Sequence, residues 1–156
     1  YGFFKRLLEI EIPELSDGTI MLYSVARDAG SRSKIAVYTE YTNVDPIGAV
    51  IGEKGRRIAN VLKELSGEKI DVILYDKDPV KFIANALSPA KDVKVSIKDE
   101  TKKEALALVN DKNLSLAIGK KGQNVKLASR LTHYKIEVKP EEQENTETTE
   151  EASVEE

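Results

Sequence analysis

The chain contains one short motif twice: a glycine, two residues and a second glycine, with lysine inside both copies. The two copies are Gly52-Glu53-Lys54-Gly55 and Gly119-Lys120-Lys121-Gly122. Glycine tolerates positive backbone φ angles and lets the main chain approach a ligand closely. Where such a loop precedes a helix, the free N–H groups and the helix dipole attract an anion such as phosphate. The motif therefore predicts contacts with a phosphate backbone at both loops.

Basic and polar residues follow each loop and extend the predicted site. They are Arg56 and Arg57 in the first copy, and Gln123, Asn124, Lys126 and Arg130 in the second. Gln123 and Asn124 open a predicted helix, so they either bond a phosphate or a base edge or cap the helix, and capping is favoured for Asn124. Because the carboxylate of Glu53 repels phosphate, the first loop is expected to bind more weakly or to depend on Arg56 and Arg57.

The elements that would hold these loops occur in the order helix, strand, strand, helix, loop, helix, strand. In the first copy, residue patterns predict a helix at the start of the chain that is ended by residues 12–18, and strands at 19–27, 33–40 and 69–75. Asp45 and Pro46 start the helix before the loop, and Gly52 is expected to end it in the left-handed conformation. The helix after the loop has an apolar face formed by Ile58, Val61, Leu62 and Leu65.

The second copy repeats these signals. They predict strands at 93–97, 104–109 and 135–138 and helices on both sides of the second loop. The predicted fold class is α+β, with a three-stranded sheet packed by helices in each unit. The units are assigned to residues 1–76 and 77–139. The connector between them is only a few residues long, which predicts two packed units and not two tethered ones.

The charge of the chain is divided unevenly. The net charge is -3, but residues 140–156 hold eight Glu and no Lys or Arg. All 24 basic residues lie in 1–139, together with 27 − 8 = 19 of the acidic residues, so residues 1–139 carry a charge of +5. A basic body favours an anionic partner. Residues 140–156 have almost no apolar residues and no periodicity, which predicts a disordered acidic tail.

Several kinds of site are disfavoured by the residues present. The chain has no cysteine and one histidine, His133, so no disulfide, metal site or other cofactor is predicted. No apolar run has the length needed to span a bilayer, so no membrane partner is expected. Gly48 to Gly55 superficially resembles a P-loop, but its glycine spacing is wrong and no Ser or Thr follows the lysine. With no Ser or Asp obviously paired with His133, no catalytic residue is assigned and the chain is not expected to be an enzyme.

The element order and the loops resemble the prokaryotic (type II) KH domain, α-β-β-α-α-β, which binds single-stranded nucleic acid. Five stretches extend the resemblance, over residues 1–139, to the tandem KH region of the bacterial NusA family. They are FFKRLLEIEIPELSDGTI, VARDAGSRSKIAV, DPIGAVIGEKGRRIANVLKELSGEKIDVI, DPVKFIANALSPA and NLSLAIGKKGQNVKLASRLTHYKIEV. The resemblance implies a cytoplasmic factor that acts with RNA polymerase in transcription pausing, termination and antitermination.

The resemblance also implies how the site works. Each unit would hold about four nucleotides of single-stranded RNA, with the backbone over the G-x-x-G loop. Ile51 and Ile118 would line the groove for the bases or belong to the core. Arg32 and Lys34, in a predicted hairpin turn at 30–34, would contact RNA or be solvated. The expected partners are the nascent transcript and, in a longer protein with further domains, RNA polymerase and other transcription factors; we expect a monomer.

One alternative is a protein-interaction module of the transcription complex that binds little RNA. KH-like folds that lose RNA binding typically lose the basic residues of the loop, whereas this chain keeps them in both copies. The retained Lys and Arg therefore favour RNA binding.

Overall fold

Asp45 and Asp78 each begin a helix in the same way. Each is the N-cap residue, is followed by proline at the first helical position, and accepts a hydrogen bond from a backbone N–H in the first turn. This arrangement satisfies a donor that the helix itself cannot pair. The computed structural model describes residues 2–65 and 67–141. It divides between Lys77 and Asp78 into two units, one residue after the predicted boundary.

The first unit contains four helices and three strands within its described residues. In chain order they are α1 (Gly2–Glu11), α2 (Pro13–Asp17), β1 (Met21–Asp28), β2 (Arg32–Tyr38), α3 (Pro46–Ile51), α4 (Arg56–Glu64) and β3 (Lys69–Leu74). A single 3₁₀ turn, Glu53–Gly55, joins α3 to α4. The loop motif therefore lies between two helices.

The second unit repeats this order without a counterpart of α2 in its described residues. Its elements are α5 (Pro79–Ala86), β4 (Lys94–Asp99), β5 (Glu104–Val109), α6 (Asp111–Ile118), α7 (Gln123–Thr132) and β6 (Lys135–Pro140). A 3₁₀ turn, Lys120–Gly122, joins α6 to α7. The predicted α+β class with two α-β-β-α-α-β units is confirmed.

Each unit has a three-stranded mixed sheet whose second strand is central. In the first unit, β2 pairs with β1 antiparallel and with β3 parallel, so that Ile35 lies opposite Val25 and Val72. In the second unit, β5 pairs in the same way with β4 and β6. Parallel neighbours require a crossover connection. Here that crossover is the helix pair that carries the G-x-x-G loop.

The helices of the first unit pack on one face of its sheet. The core residues are Phe4, Leu8, Ile12, Ile20, Ile35, Val37, Val50, Val61 and Leu65. Alternate residues of a strand point to opposite faces. Because Ile35 and Val37 face this core, Lys34, Ala36 and Tyr38 belong to the other face. In the second unit, Ala90, Val109 and Ala117 form a smaller core cluster.

Some details differ from the sequence predictions. The segment at 12–18 was predicted only to end α1, but Pro13 starts a second helix and Gly18 ends it in the left-handed conformation. Pro140 was assigned to the tail, yet it is the last residue of β6 and lies opposite Val109. The prediction of disorder at 142–156 lies outside the described residues.

Within the described residues, no helix is long and apolar enough to cross a membrane.

Candidate nucleic-acid interface

The two loops begin with glycines of the same conformation. The angles φ and ψ are 80° and 171° at Gly52 and 78° and 170° at Gly119. Gly52 was predicted to be left-handed. Its φ is positive as expected, but its ψ puts it in an extended region that is essentially restricted to glycine. The backbone therefore leaves α3 and α6 with the same conformation in both units.

The middle of each loop holds a lysine in the left-handed conformation. Lys54 has φ 55° and ψ 24°, and Lys121 has φ 56° and ψ 26°. This region is uncommon for residues other than glycine and costs about 1–2 kcal/mol for a residue with a Cβ. Both side chains are exposed. The same strained conformation at the same position of both loops indicates a functional role for this lysine.

The first glycine of each loop is required because the following helix passes close to it. A Cβ added to Gly52 would lie 2.7 Å from Arg57 Cγ, and one added to Gly119 would lie 2.7 Å from the backbone nitrogen of Asn124. The second glycines differ. A Cβ on Gly55 would meet nothing within 4 Å, and one on Gly122 only Lys126 Cε at 3.8 Å. Space beside the second glycine is therefore open to an approaching ligand.

Arg57, a predicted RNA contact, also has a structural role. Its Nη1 donates to both carboxylate oxygens of Glu14 and to the carbonyl oxygen of Ala49, each at 2.9 Å. It thereby joins α2, α3 and α4. Together with Gly52, Glu53 and Arg56, these residues line a shallow depression of about 430 Å³. Arg57 lies beside the loop, but its charge is already paired.

Asn124 does not fit either role considered for it. It is fully buried, and its Nδ2 donates to the carbonyl oxygens of Ala117 (2.9 Å) and Leu87 (3.1 Å). The N-cap of α7 is Gly122, which makes no side-chain capping bond. Asn124 thus ties α7 to α6 and to the end of α5, and its amide is not exposed to RNA. Gln123, the first residue of α7, is half-buried.

The remaining basic candidates are exposed and form no ion pair with any residue in 2–65 or 67–141. They are Lys54, Arg56, Lys120, Lys121, Lys126 and Arg130. In the second unit they form a row. Lys126 and Arg130 follow the loop glycine Gly122 at intervals of four residues and therefore lie on one face of α7. The position equivalent to Lys126 in the first unit is Ala59, so the first unit lacks this part of the row.

The charge around the two loops differs strongly. Residues 112–136 contain six basic residues and no acidic one, whereas the equivalent residues 45–69 contain five basic and four acidic ones. Glu53, which stands where the second unit has Lys120, is exposed. The second loop is therefore the more favourable one for a phosphate group.

Apolar side chains border both loops. Ile51 and Ile118 are the last residues of α3 and α6, and both are half-buried. One residue was missed in the sequence analysis: Leu116, which is 45% exposed on α6 three residues before Gly119. Its equivalent in the first unit, Ala49, lines the depression beside Gly52. The signal in the sequence was that Leu116 and Ala49 each lie about one helical turn before the first loop glycine.

Arg32 and Lys34 are not in a hairpin turn, which corrects the sequence prediction. Both belong to β2, and Lys34 is fully buried with its Nζ 3.0 Å from Asp71 Oδ2. Burial lowers the pKa of Lys34 to about 8. Arg32 Nη2 lies 2.7 Å from the same oxygen. These cations stabilise the pairing of β2 with β3 and do not present an exposed surface for RNA.

The preceding turn is also held by a carboxylate. Glu68 accepts hydrogen bonds from Arg27, from the backbone N–H of Gly30 (2.9 Å) and from Ser33 Oγ (3.2 Å). Hydrogen bonding from Arg27 keeps the pKa of Glu68 below its ordinary value. The network joins the β1–β2 turn to the start of β3.

Two family models match the chain. The NusA-like first KH domain matches residues 1–75, and the NusA-like second KH domain matches residues 79–146. The chain belongs to the NusA-like KH domain family. The G-x-x-G loops lie at the same place in the first and second NusA-like KH domains.

Curated relatives agree with this assignment. The chain is 54% identical over 140 residues to the transcription termination/antitermination protein NusA of Halalkalibacterium halodurans and 53% identical over 140 residues to that of Bacillus subtilis. These matches cover 90% of this chain but 36% and 38% of the relatives. The NusA-like KH tandem therefore spans little more than a third of the length of these proteins.

A solved structure has a similar fold. The crystal structure of APE1850 superimposes with a TM-score of 0.61 at 22% identity, covering 86% of this chain and 96% of that one. At this identity the likeness concerns the fold of the NusA-like KH tandem alone. Among the residues that the structure describes, no group of three or more His, Asp or Glu side chains could hold a metal ion.

Proposed function

We propose that the chain binds single-stranded RNA through both G-x-x-G loops and serves as RNA-binding part of a transcription termination/antitermination factor. The observation that carries this proposal is the repeated loop conformation with an exposed left-handed lysine, Lys54 or Lys121, next to an open second glycine. KH domains clamp about four nucleotides at this loop.

The RNA backbone would lie over the loops, with phosphates at the start of α4 and α7. There the helix dipole and the exposed cations attract negative charge. In the second domain, Lys120, Lys121, Lys126 and Arg130 would follow the backbone. The bases would face the apolar border formed by Leu116 and Ile118, or by Ala49 and Ile51 in the first domain.

The two domains would hold RNA unequally. In the first domain, Glu53 repels phosphate and Arg57 is paired with Glu14. Lys54, Arg56 and Lys63 remain as its exposed cations. The second domain has four exposed cations at and after its loop, and residues 112–136 contain no acidic residue. The second domain is therefore proposed as the stronger of the two sites.

Further parts of the proposal concern the longer protein. We infer that the partners are the nascent transcript and, through other domains, RNA polymerase and other transcription factors. The chain would act in the cytoplasm as a monomer and would catalyse no reaction. The alternative, a protein-interaction module, would require the exposed cations of the loops to have no RNA partner.

Fluorescence anisotropy with a labelled RNA of about eight nucleotides, twice the span of one KH domain, tests the proposal. We expect saturable binding to the single strand, weaker binding to a duplex of the same sequence, and an affinity that falls with salt by about 0.7 log units per phosphate contact for each log unit of salt. Equal binding of duplex and single strand, or no binding at low salt, would contradict the proposal.

A further inference from the structure

Three tyrosines form a cluster at one end of the first sheet. Tyr23 and Tyr75 stack with ring centroids 3.9 Å apart and an angle of 17° between their planes. Tyr38 lies 5.4 Å from Tyr75 at 55° and 6.4 Å from Tyr23 at 69°. Tyr23 remains 45% exposed. The cluster therefore combines ordered aromatic rings with access from solvent.

The cluster lies on the sheet face opposite the helices of its unit. Val37 faces the helical core, so the next residue, Tyr38, points to the other face. Tyr75 follows the last residue of β3, and its backbone N–H donates to the carbonyl oxygen of Val37 (2.8 Å). The G-x-x-G loop belongs to the helical side of the unit. RNA held at the first loop would thus run on the other side of this sheet.

Charged side chains surround the tyrosines. A depression of about 730 Å³ is lined by the three rings, Thr39, Glu40, Asp76 and Lys77. Two carboxylates against one ammonium leave this rim negative. Burial, together with Tyr23, Tyr38 and the Asp76 carboxylate, raises the pKa of Tyr75. The ring therefore stays neutral around pH 7, and its π face remains attractive to a cation.

We propose that this cluster binds an arginine side chain presented by a peptide segment of a partner protein. Aromatic faces attract cations electrostatically, and arginine does so more often than lysine. Its planar guanidinium stacks on a ring while its fork of N–H donors pairs with a carboxylate such as Glu40.

The charge of the rim decides against RNA as the occupant. A nucleobase could stack on the exposed ring of Tyr23. However, the phosphates next to that base would approach Glu40 and Asp76, and like charges repel each other. A cationic peptide gains from both the rings and the carboxylates. The proposed site is independent of RNA binding at the loops.

Nuclear magnetic resonance of the 156-residue chain can test this site with three tripeptide amides, Gly-Arg-Gly, Gly-citrulline-Gly and Gly-Lys-Gly. Citrulline keeps the shape of arginine without its charge. We expect Gly-Arg-Gly to shift the ring resonances of Tyr23, Tyr38 and Tyr75 saturably, and not those of Tyr41 or Tyr134. Citrulline should bind at least about fivefold more weakly, which corresponds to one cation–π contact of about 1 kcal/mol.

Matched variants separate the site from general effects. Tyr23→Leu and Glu40→Gln should each weaken Gly-Arg-Gly binding about fivefold. Tyr41→Leu, which removes a 57% exposed tyrosine outside the cluster, should leave it unchanged. The loop variant Lys120→Asp/Lys121→Asp should also leave it unchanged. Failure of the RNA proposal would therefore not affect this result.

Three results would overturn the proposal. Equal binding of the arginine and citrulline peptides would show that the charge is not recognised. Lysine binding as tightly as arginine would contradict recognition of the guanidinium. Shifts of the three tyrosine resonances with short single-stranded RNA, in the absence of shifts with Gly-Arg-Gly, would assign the cluster to a nucleobase.

Discussion

Arg57 and Asn124 stand at the same position in the two KH domains, five residues after the first loop glycine. Each donates a 2.9 Å hydrogen bond to a carbonyl oxygen near the end of the preceding helix, Ala49 or Ala117. One position thus fixes the angle between the two helices in both domains. The chemistry differs, since Arg57 is partly exposed and paired with Glu14 whereas Asn124 is fully buried.

Replacing these two residues should have different effects on stability. Asn124→Ala removes two buried hydrogen bonds and leaves a small cavity, so we expect the free energy of unfolding to fall by about 2–4 kcal/mol. Arg57→Ala breaks a partly exposed ion pair and should cost about 1 kcal/mol. Urea-induced unfolding followed by circular dichroism measures both. If the Asn124→Ala variant is as stable as the unmodified chain but binds RNA more weakly, the result would contradict the structural role and indicate that Asn124 contacts RNA.

The two glycines of the second loop should also respond differently to alanine. Gly119→Ala would place a Cβ 2.7 Å from the backbone of Asn124 in a conformation restricted to glycine, so we expect a loss of about 3 kcal/mol. Gly122→Ala meets open space and carries only the left-handed penalty of about 1 kcal/mol. Thermal or urea unfolding distinguishes these values. Equal losses would mean that the close approach at Gly119 is relieved by a small shift.

The buried Lys34 predicts a dependence of stability on alkaline pH. Burial lowers its pKa to about 8, from an ordinary value of 10.5. The unfolded chain therefore holds more protons than the folded chain between these values, and the free energy of unfolding should rise with pH across that window. Below about pH 8 the folded state carries the full cost of the buried charge.

A Lys34→Met variant isolates this contribution, because Arg32 still pairs with Asp71. We expect the stability of the unmodified chain relative to this variant to increase by on the order of 3 kcal/mol from about pH 8 to 10.5. Urea unfolding at several pH values provides the measurement. A difference that does not change with pH would contradict a lowered pKa of Lys34.

Local signals in the sequence predicted the elements and the loops well. Asp45 with Pro46, and the paired glycines, act on neighbouring residues only, so their effect can be read from short stretches. The side chains that were assigned wrongly are held by distant partners. Lys34 pairs with Asp71, and Asn124 with the carbonyl of Leu87, and neither contact is visible before the chain is folded.

The helix α2 illustrates a signal that was present but attributed to the wrong event. Pro13 at the first helical position and Gly18 after the last one are the usual ends of a helix. Because the helix has only five residues, the stretch resembled the end of α1. Glu14 on this short helix pairs with Arg57, so the missed element also changes the charge beside the first loop.

Glu53 should limit RNA binding by the first domain. Glu53→Lys gives this loop the charge of the second loop, and we expect a tighter complex with single-stranded RNA and a salt dependence steeper by about 0.7, as for one more phosphate contact. Glu64→Lys, on the same domain at the end of α4, is a control with the same change in charge. If both variants tighten binding equally, net charge and not the loop is responsible.

The most direct test replaces both lysines of the second loop. Lys120→Asp/Lys121→Asp should keep the fold, because both side chains are exposed and aspartate tolerates the left-handed conformation of position 121. The control Lys81→Asp/Lys102→Asp makes the same change of charge at exposed positions outside the loop.

The measurement is the affinity for a short single-stranded RNA, by fluorescence anisotropy over a range of salt concentrations. The loop variant should bind about tenfold or more weakly than the control, with a salt dependence less steep by about 1.4, as for two lost phosphate contacts. Lys54→Asp should have a smaller effect. A folded Lys120→Asp/Lys121→Asp variant that binds RNA as tightly as the unmodified chain would contradict the assignment of the G-x-x-G loops as the RNA-binding site.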